Sequence, residues 1–175
     1  MERAQISGIR ALVLGAETAA GRVLATALAA AGAHTAIVAA SPDAAVAFEV
    51  QRLSRRIGAH SQAIDATNEM ALRVMTRQLS KRLGGLDLLL FCADLGEKTA
   101  DAMALASRFA AREMARAGGR PRLGGTLLVA PPPGGTADVA ALAAECEPQG
   151  IRVLGLDLPP QPDEAWAGDI LTRLA

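Results

Sequence analysis

Short apolar runs alternate along this chain with longer segments in which apolar residues recur every three or four positions. The runs are four or five residues long and show little polar alternation, which is typical of parallel strands covered by helices on both faces. Six such runs occur, at residues 11–14, 35–39, 61–64, 88–91, 126–130 and 153–156. They predict six strands.

The segments between the runs predict helices that each lay one apolar stripe on the sheet. The predicted stripes are Leu24, Ala27, Leu28 and Ala31; Val46, Val50, Leu53 and Ile57; and Met75, Leu79 and Leu83. Regular alternation of strand and helix predicts an α/β fold, a doubly wound sheet of about six parallel strands with right-handed crossovers. At 175 residues we expect one domain, spanning residues 1–175.

Local signals place some helix ends. Ser41 before Pro42 predicts a helix that begins with Ser41 as its N-cap. Gly84 and Gly85 predict the end of the following helix, before Asp87.

The long helix predicted from about Thr99 to Ala117 carries two stripes. One comprises Met103, Ala106, Ala110 and Met114, and the other Leu105, Phe109 and Arg112. One stripe covers the sheet. The second fits either contact with another subunit or burial within the domain. In the last predicted helix, residues 163–174, Trp166 shares a face with Ile170 and Leu174 and is expected in the core or at an interface.

The charge balance excludes several classes of partner. Lys plus Arg and Asp plus Glu each number 18, so no net field favours nucleic acid or an anionic membrane surface. No stretch approaches the ~18 unbroken apolar residues of a membrane helix, and the N-terminal segment lacks a signal-peptide cleavage pattern. We therefore expect a cytoplasmic protein.

The two cysteines, Cys92 and Cys146, lie far apart and have neither metal-ligand spacing nor a disulfide pattern. We expect no metal site.

The segment from residue 11 to residue 40, ALVLGAETAAGRVLATALAAAGAHTAIVAA, resembles the first strand, glycine turn, helix and second strand of the short-chain dehydrogenase/reductase family. The family turn is T-G-x-x-x-G-x-G, and its four defined places hold Leu14, Gly15, Ala19 and Gly21 here. The middle glycine lets the pyrophosphate of a dinucleotide approach the helix N-terminus, so Ala19 predicts weakened binding. The resemblance implies a Rossmann-like domain.

Beyond the turn, the resemblance covers the cofactor site only in part. The family's acidic or arginine residue after the second strand is replaced by Ala39, Ala40 and Ser41, a loss that would tolerate NADP better than NAD. Asp65 matches the family aspartate near the adenine, or alternatively caps the next helix. Only Ala93 survives of the family's Asn-Asn-Ala-Gly. The residual cofactor-binding residues predicted by the resemblance are Gly15, Ala16, Ala19, Gly21, Asp65 and Ala93.

The C-terminal match is more specific. The segment ECEPQGIRVLGLDLPP fits the family pattern E-x-x-x-x-G-I-R-V-N-x-x-x-P, with Gly150, Ile151, Arg152, Val153 and Pro159 in place. After Pro159 only one helix is predicted, which implies that the usual C-terminal substrate-binding extension is missing.

The resemblance also implies that the chain has no catalytic residues. The family uses Asn, Ser, Tyr and Lys, but this sequence contains no tyrosine. Pro131 and Pro132 stand where the serine ends the fifth strand, and the segment 134–146 holds neither tyrosine nor lysine. Without a tyrosine acid, hydride transfer to a carbonyl has no proton donor of the family's kind.

Three functions remain open. The first is a catalytically inactive homologue acting as a structural or regulatory subunit beside an active dehydrogenase of the family, most simply without a bound cofactor. The second is an NAD(P)-binding module or residual oxidoreductase with a rearranged site, in which Cys92 or Asp94 could act, although Cys92 is better explained as a buried structural cysteine. The third is a structural homodimer.

Overall fold

The computed structural model describes residues 6–116 and 124–175. Six parallel strands form one sheet in the order β3-β2-β1-β4-β5-β6. The strands are β1 Arg10–Leu14, β2 His34–Ala39, β3 His60–Ala63, β4 Leu88–Phe91, β5 Thr126–Val129 and β6 Arg152–Gly155. The six predicted strands are confirmed, each within one residue of its expected ends.

A helix joins each strand to the next, and the last helix follows β6. They are α1 Ala19–Ala30, α2 Ala44–Ile57, α3 Glu69–Leu83, α4 Thr99–Arg116, α5 Thr136–Cys146 and α6 Glu164–Leu174. The chain moves outwards from β1 to β3 and then crosses to β4 on the other side of β1. The carboxyl ends of β1 and β4 therefore flank the point where the strand order reverses, which is where open α/β sheets bind ligands.

The sheet has one hydrophobic core on each face. Alternate strand residues belong to different cores, because successive side chains on a strand point to opposite faces. Leu12 of β1 and Phe91 of β4 lie in the core beneath α3, α4 and α5. Val13 and Leu90 lie in the core beneath α1, α2 and α6. Both faces of the sheet are thus covered, which explains the continuous apolar runs in the sequence.

Two helix starts differ from the prediction. Asp43, not Ser41, is the N-cap of α2, and its carboxylate accepts hydrogen bonds from the backbone N–H groups of Ala45 and Val46. Asn68, not Asp65, caps α3 by accepting from Ala71. In both cases two candidate capping residues lie within three positions, and only the path of the loop decides between them. The predicted end of α3 at Gly84 is confirmed, in the left-handed conformation that favours glycine.

The two stripes of α4 have different surroundings. Met103, Ala106, Ala110 and Met114 are all buried against the sheet. In the second stripe Phe109 is buried, Leu105 is partly buried, and Arg112 is exposed with its guanidinium 5.6 Å from the Phe109 ring centre. Burial within the domain therefore accounts for part of this stripe. Ala117 lies outside the described residues.

A buried ion pair joins β1 to β4 at the amino edge of the sheet. The carboxylate of Asp87, fully buried, accepts three hydrogen bonds of 2.8–2.9 Å from Arg10: one from its backbone N–H and two from its guanidinium. Arg10 also donates to the carbonyl of Gly84 at 2.6 Å. This pairing locks the two central strands together opposite the candidate site.

No helix among residues 6–116 and 124–175 is long and apolar enough to cross a membrane.

Candidate functional site

The turn between β1 and α1 lies at the carboxyl edge of the sheet, where the strand order reverses. Gly15 adopts φ +95°, and a side chain there would come within 2.4 Å of the backbone nitrogen of Ala93. A Cβ on Gly21 would lie 2.2 Å from the Gly15 carbonyl oxygen. Both glycines are therefore required by the close approach of backbone to backbone.

Five of the six predicted cofactor-binding residues come together at this turn, and Asp65 is the exception. Gly15, Ala16 and Gly21 are buried, and Ala93 after β4 packs directly against Gly15. The N–H groups of Gly15 and Ala16 both donate to the carbonyl of Val38 at 3.0–3.1 Å. The turn is thus held by β2 on one side and by the end of β4 on the other.

Thr18 organises the start of α1. Its hydroxyl donates to the Gly15 carbonyl at 2.7 Å and accepts from the Gly21 N–H at 3.0 Å, so it is the N-cap. Ala19, in the place of the family's middle glycine, is exposed at the first position of the helix. Its methyl group is therefore exposed in the first turn of α1, the end of a helix that binds anions.

Asp65 lies farther out along the same edge, beyond the end of β3, and is exposed. Its carboxylate accepts from the Thr67 hydroxyl at 2.6 Å and from the Thr67 N–H at 3.0 Å. These two hydrogen bonds lower the pKa of Asp65, with a smaller contribution from the positive charge of Lys98. Both hydrogen bonds lie within the loop of Asp65 itself, and its predicted role near an adenine stays a prediction.

Glu17 is a residue of this edge that the sequence interpretation missed. Both of its carboxylate oxygens lie 3.2 Å from the backbone nitrogen of Ala40, whose N–H they accept. The contact spans 23 residues and carries a negative charge from the glycine turn to the end of β2. An acidic residue inside a glycine turn was the available signal.

Cys92 directly follows β4 and is buried. Burial, with a smaller contribution from the charge of Glu17, raises the pKa of its thiol to about 12. A thiol that keeps its proton throughout the physiological range is not an activated nucleophile. The burial of Cys92, which the sequence favoured, is confirmed.

Few titratable side chains lie at the carboxyl ends of β4 and β5. β5 continues into Ala130, Pro131 and Pro132, and the Pro132 carbonyl accepts from Gly135 to form the turn before α5. Asp94 is exposed and accepts from the Gly96 N–H. His34 and His60 open β2 and β3 and so lie at the opposite edge, as expected.

Among the described residues, no group of three or more His, Cys, Asp or Glu side chains is placed to hold a metal ion. A groove of about 1170 Å³ runs elsewhere, between α1 and α6. Val23, Ala27 and Leu171 line it, with Arg22 and Asp163 among its charged residues.

The family model of short chain dehydrogenases matches residues 10–116, from β1 to the end of α4. The chain belongs to the short-chain dehydrogenase family. The match includes the glycine turn, Glu17, Asp65 and Cys92, and it spans more than half of the sequence.

Solved structures agree on the fold. A protein described as a short-chain alcohol dehydrogenase from Sinorhizobium meliloti 1021 is 27% identical, with a TM-score of 0.67 over 85% of this chain and 71% of that one. A short-chain type dehydrogenase/reductase from Mycobacterium marinum is 24% identical, with a TM-score of 0.72 over 97% and 88%. A hydroxysteroid dehydrogenase from Escherichia coli is 23% identical, with a TM-score of 0.69 over 89% and 72%. No curated protein sequence matches this chain significantly.

Proposed function

We propose that this protein is a catalytically inactive member of the short-chain dehydrogenase family that acts as a structural or regulatory subunit beside an active dehydrogenase. The observation that carries this proposal is the absence of tyrosine from the sequence. In the family, the phenol of a tyrosine with a lowered pKa donates a proton to the substrate carbonyl. No other residue type carries a phenol, so this chain lacks that proton donor.

The helix after β5 supports the same conclusion. In the family this helix bears tyrosine and lysine one turn apart, whereas α5 reads TADVAALAAEC. Pro131 and Pro132 precede it, and the thiol of Cys92 keeps its proton. This side of the site has lost the means to move a proton, and we propose that it holds no cofactor in a reactive position.

The surface of α5 supports association. Only Leu142 and Cys146 of this helix are buried, and Ala137, Ala140, Ala141 and Ala144 are exposed. Small side chains allow another helix to approach closely. The exposed ion pair between Arg108 and Glu145, at 3.0 Å, holds α4 beside α5, so the two helices offer one continuous surface.

The test is the composition of the protein purified from its own source. The tagged chain is isolated under native conditions, its mass is measured, and companions are identified by mass spectrometry. A stoichiometric full-length dehydrogenase of the family is the expected result. Failure to co-purify with any co-expressed dehydrogenase of the same source would overturn the proposal and leave a homodimer as the alternative.

An arginine placed on α5 locates the contact. Ala141→Arg is expected to remove the companion or halve the native mass, whereas Ala45→Arg, on the exposed face of α2, leaves the assembly intact. If both variants have the same native mass and the same companion, the contact lies elsewhere on the protein. Cytoplasmic location is part of this proposal and is checked by fractionation of the source cells.

A second function is favoured by one specific observation, the backbone geometry of the glycine turn. Gly15 and Gly21 keep the backbone geometry at the N-terminus of α1, and Thr18 holds its first turn in order. We therefore also propose that the chain binds an adenine dinucleotide weakly, without turnover. Saturation-transfer NMR with NAD is the test, and absence of any transfer at millimolar NAD excludes it.

A further inference from the structure

The carboxylate of Glu17 contacts the backbone at the end of β2, the strand after which dinucleotide-binding folds contact the adenosine ribose. In those folds the residues after the second strand contact the ribose: a carboxylate accepts from the 2′-hydroxyl, or an arginine receives a 2′-phosphate. Here those positions hold Ala39 and Ala40, which are buried and carry no polar side chain, and Ser41, which carries no charge. The Ser41 hydroxyl already accepts from the Asp43 N–H. Glu17 reaches the same backbone from the glycine turn instead.

The contact leaves the carboxylate able to bind more. A carboxylate has about four acceptor sites, and the single N–H of Ala40 is shared between the two oxygens of Glu17 at 3.2 Å. Glu17 is partly exposed. A ribose hydroxyl can therefore donate to it, whereas a phosphate meets both a negative charge and a backbone donor that is already taken.

The two kinds of adenosine ribose thus fit differently. The turn, the capped α1 and the Glu17 carboxylate suit an adenosine diphosphate group with a free 2′-hydroxyl. The 2′-phosphate of NADP does not fit, since like charges in close contact oppose binding.

We propose that Glu17 makes this turn selective for adenosine nucleotides with a free 2′-hydroxyl and excludes those with a 2′-phosphate. This reverses the preference expected from the loss of the acid after β2, because the acid is supplied by a residue of the turn. The inference rests on the second proposed function, weak dinucleotide binding, and is independent of the association proposal.

The probes are ADP and 2′,5′-ADP, which differ in where one phosphate lies and need no nicotinamide half. Their affinities are measured by titration calorimetry or ligand-observed NMR on the full chain. For the native protein we expect ADP to bind at least about tenfold more tightly than 2′,5′-ADP, a difference of about 1.4 kcal/mol.

Three variants separate charge from shape. Glu17→Gln removes the charge but keeps an acceptor, so 2′,5′-ADP should bind about tenfold more tightly while ADP changes little. Glu17→Ala also frees the Ala40 N–H, so it should favour 2′,5′-ADP further and weaken ADP. Glu49→Gln is the matched control: it removes one carboxylate from the exposed ion pair with Arg52 on α2 and should change neither affinity.

Circular dichroism melting of each variant establishes that it is folded. The proposal is overturned if native protein binds 2′,5′-ADP as tightly as ADP, if Glu17→Gln and Glu49→Gln behave alike, or if neither probe binds the folded native chain. The association experiment is unaffected by any of these outcomes, so failure of this inference is distinguishable from failure of the pseudoenzyme proposal.

Discussion

The half of the sheet formed by β1 to β3 differs from the half formed by β4 to β6 in the side chains at the carboxyl ends of its strands. After β1 and β3 come Glu17, Thr18 and Asp65, each of which binds backbone N–H groups. After β4 and β5 come Cys92 and Pro131, which carry no charge, and the carboxylate nearest to them along the chain, Asp94, is exposed and accepts from the Gly96 N–H. Yet both halves pair in regular parallel register with fully buried central strands.

The comparison shows that the packing of the strands does not depend on the polar side chains at their carboxyl ends. The strands need only apolar residues of suitable size, a requirement that both halves meet. A site needs particular polar groups at particular strand ends, and more such groups follow β1 and β3 than follow β4 and β5.

The largest expected effect comes from breaking the link between the halves. Asp87→Ala leaves both the partly exposed Arg10 guanidinium and the Arg10 backbone N–H without their acceptor, and we expect a loss of about 3–5 kcal/mol in the free energy of unfolding. Urea titration measures it. Glu145→Ala, which breaks the exposed pair with Arg108, should cost less than about 1 kcal/mol. Similar losses for both variants would show that burial of Asp87 contributes nothing.

A side chain on Gly15 tests the contact between the turn and Ala93. Gly15→Ala combines a positive φ with a backbone clash, so we expect a loss of roughly 2–4 kcal/mol. Gly84→Ala is the matched control. Gly84 has a similar φ of +80° but open space around it, and its replacement should cost only about 1 kcal/mol. Equal costs in urea titrations would mean that the turn moves away from β4 easily.

Cys92, in the half formed by β4 to β6, makes the stability of the protein depend on pH. Its pKa is raised from 9.0 to about 12 in the folded protein, so the folded state keeps a proton that the unfolded state loses. The contribution of this thiol to stability is therefore complete below pH 9 and falls as the pH rises from 9 towards 12, by up to about 1.4 kcal/mol per pH unit.

Melting temperatures between about pH 8 and pH 11 measure this slope, since the range brackets the ordinary pKa of a thiol. Cys92→Ala should have a shallower slope than the native protein, whereas Cys146→Ala retains the contribution of Cys92. The explanation fails if Cys92→Ala and the native protein fall in parallel.

The smallest effect concerns the cap of α1 in the first half. Thr18→Ala removes the hydroxyl that bonds Gly15 and Gly21, at a cost of about 1 kcal/mol. Thr26→Ala, on the exposed face of the same helix, removes only a bond to the Arg22 carbonyl and should change stability by less than half as much. If the two variants have the same melting temperature, the hydroxyl of Thr18 does not stabilise the turn.

Much of the fold is predictable from this sequence because it depends on local patterns. The run from Leu88 to Phe91 is apolar throughout and can be satisfied only by burial on both faces, so its strand is predicted directly. The stripe of Met103, Ala106, Ala110 and Met114 likewise identifies the sheet-facing side of α4. Gly84 ends α3 because a left-handed residue is needed there.

The candidate site is only partly predictable. Gly15 and Gly21 stand out because their spacing reports a backbone requirement. Glu17 does not, because its partner is the N–H of a residue 23 positions away, and backbone donors have no sequence signature. The role of Asp65 near an adenine stays a prediction of the resemblance, and its side chain bonds Thr67 in its own loop.

By itself the sequence determined the strand and helix order, the family and the absence of tyrosine, since each follows from residue types and their spacing. The tertiary structure alone decided which caps form, that the Cys92 thiol keeps its proton, and that the carboxylate of the glycine turn meets the end of β2. Those outcomes depend on distances between segments remote in the chain, and such distances exist only once the sheet has brought β1, β2 and β4 side by side.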